Sequence, residues 1–548
     1  MRIARNGKAA LVVAATTLPA LALLAGGAAG ATGTTGSQAN SPQVNAAYAV
    51  SQGVRFPTNK QNEPTIARNP VTGAFVAGSN DEQRQPACGP GGMRGTTALP
   101  SDCSFFPGVG TTPIYTSANG RSWTNRGLLP GFSDPVGSAQ LASGETARTD
   151  LISDGDPVLA YGPTWRAGTF SKTSYTAYYA SLASYVAGQQ QGQQIPELLT
   201  VSRSTDDGLS WSAPVVAADG HGTLFNDKES LWADRNPVSP YFGRLYMTWT
   251  QFRGAGAEPI NVVFSKNGGR TWSNPNQLSS AYNNGKQGGR QGSVVRTGQD
   301  GAVYVAWEDS INGQSVQVIA VSRDGGVTFS KPKVVGTVTD LADPIPGSNF
   351  RTSSFPTLAV QQAKAPYGIH VGWTNRNGID SDVVVASGTS ALTTWTRRTV
   401  STSAEGYDFF PALDVAPNGR VDLGWQAQQQ PSPTTYGTGT ARVASWYAAL
   451  PVGGRWSAPV RVSALSDPAA SAQNNLARQF WGDYNTMTSS NNRADFIYTD
   501  ARNGSGCPAV DSYQHALDAG TTASKPAPGR DCAATFGDTD IYVSTVTY

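Results

Sequence analysis

A chain of 548 residues with only 14% charged residues and a formal net charge of +2 offers no basic surface that would call for nucleic acid. Glycine is plentiful at 61, and helix-period apolar stretches are scarce beyond the N-terminus, which favours many short strands joined by turns. The three histidines lack the i, i+4 spacing of a zinc site, and neither a phosphate-binding loop nor a Gly-x-Ser-x-Gly elbow is present, so no metal or cofactor is expected.

Arg2, Arg5 and Lys8 precede an apolar run over residues 9–24, and Ala29-Gly30-Ala31 supplies the small residues of a cleavage site. This pattern predicts a secretion signal over residues 1–31, too short in its apolar part to read as a lasting anchor. Cleavage leaves 37 basic against 38 acidic residues, consistent with an extracellular monomer that has no membrane partner. Residues 32–46 read as a flexible polar segment and 47–548 as a single domain. Seven strand-rich units follow, with inner strands beginning near Glu63, Asp156, Lys228, Gln291, Phe355, Phe410 and Asp483, each trailed by a second strand. The last unit has only three obvious strands, and residues 47–50 are expected to complete it, closing a ring without free edges. Cys88 and Cys103 bracket one loop and Cys507 and Cys532 another. Two disulfides are expected in an exported protein; local pairing is the simplest, and cross-pairing between the chain ends stays open.

Six aromatics recur along the chain, at Trp123, Trp211, Trp272, Phe329, Trp395 and Trp456. Three of them end one motif, Ser-x-[Asp/Asn]-x-Gly-x-[Ser/Thr]-[Trp/Phe]. Its first copy is Ser204, Asp206, Gly208 and Trp211; its second is Ser265, Asn267, Gly269 and Trp272; its third is Ser322, Asp324, Gly326 and Phe329. The Asp or Asn can bond amides of a tight turn, the Gly accepts a positive φ, and the aromatic can wedge against a neighbouring unit. A copy ending at Trp123 reads as degraded, with Thr116, Ala118, Gly120, Ser122 and Trp123 in its five positions. A fixed period of this kind means a repeat architecture.

On these motifs the chain resembles the Asp-box (bacterial neuraminidase repeat) proteins, a group that includes sialidases, over roughly residues 50–548. The resemblance implies an all-β β-propeller, with seven blades by our count and six as the alternative, closed by its terminal strands. It implies that the boxes are structural turns on the face away from any active site. It also implies a secreted sialidase-like glycoside hydrolase of the exo-α-sialidase class, whose partner is a glycan or polysaccharide. Sialidases of this group use an arginine triad for the substrate carboxylate, a Tyr nucleophile assisted by Glu, and an Asp acid/base. Their Arg-Ile-Pro motif is replaced here by Glu63-Pro64-Thr65, and Arg55-Phe56-Pro57 lies before that strand.

The face opposite the boxes is built from residues that open each inner strand and close each second strand. There Glu63, Asp156, Glu229, Asp408 and Tyr484 are the catalytic candidates, and Arg290, Arg351, Arg376 and Arg502 the candidate carboxylate ligands. Any of these charges could equally solvate the channel or bridge blades. Three functions compete: a glycosidase, a non-catalytic propeller binding glycan, cell-wall polymer or protein, and a polysaccharide-degrading enzyme with exposed aromatic rows. The last would need Trp232, Trp249, Trp307, Trp373 and Trp425 at the surface rather than in blade packing. Asp150, Asp154 and Asp156, and likewise Asp538 and Asp540, are spaced like parts of a calcium loop and read more simply as turn carboxylates.

Overall fold

The computed structural model describes residues 33–40, 59–81, 112–133, 139–185, 197–220, 224–254, 256–284, 287–402, 406–429 and 434–548. These residues build an all-β propeller. Successive antiparallel sheets run inner strand, second strand, third strand, outer strand, beginning with Gln61–Arg68, Phe75–Asp81, Pro113–Ser117 and Thr124–Leu128. Three more four-stranded sheets follow, with inner strands Leu151–Arg166, Phe225–Ala233 and Gln287–Thr297. An eight-stranded sheet then contains two such runs, starting at Thr357–Val360 and Tyr407–Val415 and joined through the single parallel pair Ser381–Tyr407. The inner strands touch one another in cyclic order, and the last, Thr486–Ser490, packs back on Gln61–Arg68. They surround a central channel.

The final sheet is closed by the N-terminal strand Gly33–Gln38, antiparallel to Asp540–Thr547 with Gly33 opposite Thr547 and Gln38 opposite Tyr542. Residues 47–50, the expected closing strand, lie outside the described residues. The strand instead forms within the segment that reads as flexible and polar. Its sequence, Gly-Thr-Thr-Gly-Ser-Gln, carries no apolar alternation and pairs through its backbone. Next to it, buried Asn40 donates to Asp540 Oδ1 at 2.7 Å and to Gln61 Oε1 at 2.8 Å, fastening the seam.

The cores lie between neighbouring sheets. Val76 and Ile114 pack with Leu159, Tyr161 and Tyr179 of the next sheet and with Trp211, which ends that sheet's box turn. Each box turn links a third to a fourth strand. In the first full box Gly208 N–H donates to Ser204 Oγ at 2.9 Å and Ser210 N–H to Asp206 Oδ1 at 2.9 Å. The second box repeats both bonds: Gly269 N–H donates to Ser265 Oγ at 2.9 Å, and Thr271 N–H to Asn267 Oδ1 at 3.0 Å. So does the third, from Gly326 N–H to Ser322 Oγ at 2.8 Å and from Thr328 N–H to Asp324 Oδ1 at 2.9 Å. Asn267 thus does with an amide oxygen what Asp206 and Asp324 do with a carboxylate, so the turn needs an acceptor and not a charge. Gly269 and Gly326 take φ of +74° and +89°, the left-handed conformation that the motif's glycine anticipates. The box ending at Trp123 is corrected by the structure. Ser117 and Asn119 hold the hydroxyl and amide positions, receiving the N–H groups of Gly120 and Ser122 at 2.8 and 2.9 Å, so this box is one residue shorter rather than stripped of its acceptor.

Gly208 illustrates why the motif needs glycine. Its φ is +90°, and a Cβ there would lie 2.9 Å from Thr116 Cγ2 and 3.0 Å from Val76 Cγ2 of the preceding sheet. Strain and overpacking together predict that Gly208→Ala lowers stability by about 2–4 kcal/mol in a denaturant melt. A loss below about 1 kcal/mol would mean the two sheets can part cheaply.

Trp249, Trp307, Trp373 and Trp425 are fully buried between sheets, so they form no exposed sugar-stacking row. Cys507 and Cys532 are bonded, as local pairing predicts, and clip an insertion that carries the helix Pro508–Asp518. Cys88 and Cys103 lie outside the described residues. No described helix is long and apolar enough to cross a membrane.

Candidate functional site

The inner strands begin with a repeated irregularity. In five of them the register against the second strand slips, between Asn62 and Thr65, Gly155 and Val158, Asp227 and Ser230, Gln291 and Val294, and Phe409 and Ala412. Each slip contains one residue in the left-handed region: Glu63 (φ 53°), Asp156 (49°), Lys228 (56°), Gly292 (64°) and Phe410 (48°). Such β-bulges turn a side chain off the pleat. Four of these residues carry a Cβ, and a left-handed conformation at such a residue costs about 1–3 kcal/mol, a strain that clusters at functional sites.

Three of the re-aimed residues are charged, and they meet. Lys228 Nζ contacts Asp483 directly and lies 3.6 Å from Asp156 Oδ2, 3.9 Å from Asp227 Oδ1 and 4.0 Å from Glu63 Oε1. Its side chain is 9% exposed. Arg351 grips Asp483 in a bidentate pair at 2.6 and 2.5 Å while 46% of its own side chain faces solvent. Asn80, closing the first second strand, donates to Glu63 Oε2 at 2.8 Å and accepts the Asp156 N–H at 2.7 Å, which ties the first two sheets together at the site. The Tyr484 ring lies 5.8 Å from Lys228 Nζ. The buried Tyr484 hydroxyl and both Glu229 carboxylate oxygens have no hydrogen-bond partner among the described residues.

No family model matches the chain. A sialidase of Micromonospora viridifaciens is 28% identical over 186 residues, which are 30% of this chain and 24% of that protein; the chain thus matches about a quarter of that relative's length. The chain is a β-propeller with Asp-box turns, similar over part of its length to a sialidase. Similar solved structures include the intramolecular trans-sialidase from Ruminococcus gnavus in complex with oseltamivir carboxylate (11% identity, 70% of this chain, 92% of that chain, TM-score 0.39). Another is the GH93 α-L-arabinofuranosidase of Fusarium graminearum with arabinobiose (11%, 73% and 97%, TM-score 0.41). A third is a protein of unknown function from Dyadobacter fermentans (14%, 70% and 94%, TM-score 0.38).

At the centre of this propeller, neighbouring carboxyl groups are driven apart in acidity. Burial and the Asp156 charge push Glu63 well above the usual carboxylate range, and burial with Asp156 does the same to Glu229. Burial would raise Asp156 too, but Lys228 and a hydrogen bond from Glu63 outweigh it and hold Asp156 low. At Asp483 the pull of Lys228 and Arg351 overcomes burial and sets the group at about 2, whereas burial raises Asp227 to about 6. Burial disfavours the Lys228 ammonium, yet Asp227, Asp483, Asp156 and Glu63 together raise it well above an ordinary lysine. Burial, then Asp156, Glu63 and Glu229, keep the Tyr484 phenol protonated. The site therefore sets Asp156 and Asp483, favoured as carboxylates by Lys228 and Arg351, beside Glu63 and Glu229, in which burial favours the protonated form.

Of the nine candidates read from the sequence, Glu63, Asp156, Glu229, Tyr484 and Arg351 come together. The other four are engaged elsewhere. Asp408 is fully buried and accepts the Trp425 indole N–H at 3.0 Å. Arg290 is buried against Asp309 at 3.2 Å and Asn283 at 2.9 Å. Arg502 is fastened to Asp500 at 2.6 Å and lies over the Tyr542 ring at 3.8 Å. Arg376 is exposed at the end of Gly368–Asn377 and makes no ion pair within 4 Å among the described residues. The sequence places Lys228 and Asp483 at inner-strand openings on this face without giving them a role, and Asn80 is not among its candidates. Their signal was positional: each opens an inner strand or closes a second one. Arg55 lies outside the described residues. Among the described residues no group of three or more His, Cys, Asp or Glu is arranged to hold a metal ion.

Proposed function

We propose that the protein is a secreted, monomeric, seven-bladed propeller that hydrolyses glycosidic bonds of exposed glycans, in the exo-α-sialidase class, with the Lys228 cluster as its active centre. The count of seven takes the eight-stranded sheet as two blades bridged by Ser381 and Tyr407. Residues 1–31 serve as the export signal. The observation that carries the catalytic reading is the convergence of Glu63 and Asp156 on Lys228, their acidities pushed in opposite directions, beside a tyrosine hydroxyl without a partner among the described residues. Pairs driven apart in this way divide acid from base. Asp156 takes the phenolic proton as Tyr484 attacks the anomeric carbon, and Glu63 or Glu229 protonates the departing glycosidic oxygen. Water then releases the sugar from Tyr484 by the reverse proton movements. Arg351, half in solvent, receives the substrate carboxylate.

A second reading is favoured by the pairing of charges within the cluster: a propeller that binds a glycan or protein through the same face without turnover. Release of fluorophore from a fluorogenic sialoside by the exported protein, with Arg351→Ala beside it, separates the two. The hydrolase reading expects turnover that falls at least 100-fold in Arg351→Ala, the scale of one lost charge-stabilising contact. Folded wild-type protein that releases nothing from this or an arabinoside substrate would leave the binding reading.

A further inference from the structure

The inner strands run from the Lys228 cluster toward the face that carries the boxes, and between the two ends lies a cavity of about 190 Å³. Lys228, Glu229 and Tyr484 bound it at one end, and Arg235, Arg296 and Asp414 line it as well. Lys228 and Arg235 are seven residues apart on one strand and its continuation, roughly 20 Å of extended chain. The second end is therefore a separate place. Its walls are mainly apolar, with Ile66, Val158 and Leu231 among them.

Two guanidinium groups share one indole there. Arg296 lies 4.4 Å and Arg235 4.8 Å from the Trp232 ring centre. Arg296 gives one N–H to its neighbouring carbonyl, Val295 O, at 2.8 Å, while its Nε is buried with no hydrogen-bond partner. Neither arginine makes an ion pair within 4 Å among the described residues. The carboxylate facing them is Asp414, which already accepts the Ser489 N–H at 2.7 Å. Burial and the Arg235 charge act to strip the Arg296 proton, with Asp414 opposing, and the group falls to about 10. Two half-buried cations against one partly engaged carboxylate leave a positive charge without an answer, and a planar fork over an aromatic ring is the geometry that grips carboxylate or phosphate.

We infer that the box-side end of the channel is a second ligand site, which holds a compact oxyanion, carboxylate or phosphate, between Arg235 and Arg296. The apolar walls suit an organic acid; inorganic phosphate would use the arginines alone. The test follows thermal unfolding of the whole protein against benzoate and against inorganic phosphate, with chloride at matched ionic strength. Wild type is expected to show a saturable rise in Tm with at least one probe, since a ligand that binds only the native state stabilises it. A larger response to benzoate assigns an organic acid, and a larger response to phosphate an inorganic or phosphorylated one. Arg235→Gln and Arg296→Gln should each weaken the apparent affinity at least ten-fold, while Arg351→Gln leaves it unchanged. Arg235→Gln carries the test by itself if Arg296→Gln does not fold. No saturable shift with either probe, an unaltered shift in Arg235→Gln, or a shift lost in Arg351→Gln would overturn the assignment.

Discussion

Lys228→Met is expected to cost about 3–5 kcal/mol of stability at pH 7, the range for removing one partner from a buried ion pair. The reason is the company Lys228 keeps: Asp483 in contact, Asp156, Asp227 and Glu63 within 4 Å, and almost no solvent to replace it. Arg351 still answers Asp483 in the variant, but no cation within 4 Å among the described residues answers Asp156. The pH dependence gives the effect a signature. In wild type Asp483 sits at about 2, below its unfolded value, so its contribution is present above roughly pH 4 and lost as pH falls toward 2. Without Lys228 the folded-state carboxyls bind protons more tightly than the unfolded chain. The variant then gains stability as pH falls toward about 4, and its deficit against wild type is largest at neutral pH. Urea melts of both proteins at pH 4.5 and 7 measure this directly. Equal deficits at the two pH values would mean that packing, and not charge, is what Lys228 supplies.

Tyr484→Phe should separate catalysis from folding. The hydroxyl is buried and makes no hydrogen bond among the described residues. Deleting an unsatisfied buried hydroxyl is close to neutral or mildly stabilising, so the melting midpoint should hold or rise. Under the proposed hydrolase reading, turnover of a glycoside should fall by about 1,000-fold or more, because the variant keeps Glu63, Asp156 and Arg351 but lacks the proposed nucleophile. A phenylalanine variant that keeps full turnover would remove Tyr484 from the chemistry and leave Asp156 as the attacking group. A destabilised variant would mean the hydroxyl has a partner in solution, such as a bound water.

The boxes could be read from the chain because their bonds are local: Ser204, Asp206, Gly208 and Ser210 bond one another within a single turn. Asn267 with Gly269, and Asp324 with Gly326, were legible for the same reason. The shortened box at Ser117 and Asn119 defeats a fixed template, since one missing residue shifts every position of it. The closing strand escaped because Gly33–Gln38 pairs by backbone and shows no alternation to detect. At the site, Glu63, Asp156 and Glu229 were visible as charges opening inner strands. What no sequence pattern revealed was the left-handed residue in each bulge, adopted by Glu, Asp and Lys where glycine would be anticipated. That bend decides which charges converge. Arg290 and Arg502 were lost to partners that were themselves legible, Asp309 on the neighbouring strand and Asp500 two residues away. A short-range partner is the cheaper one to engage, because less chain must be ordered to reach it.

The seam between Gly33–Gln38 and Asp540–Thr547 also sets a timetable. Two strands far apart in the chain are matched, 502 positions apart at Gln38 and Asp540. Every intermediate sheet can pair within its own stretch of chain as it emerges, but the ring stays open, with one raw edge, until Asp540–Thr547 has been made. A nascent propeller of this kind must be shielded along that edge until then, and the act that closes it is the meeting of these two distant strands.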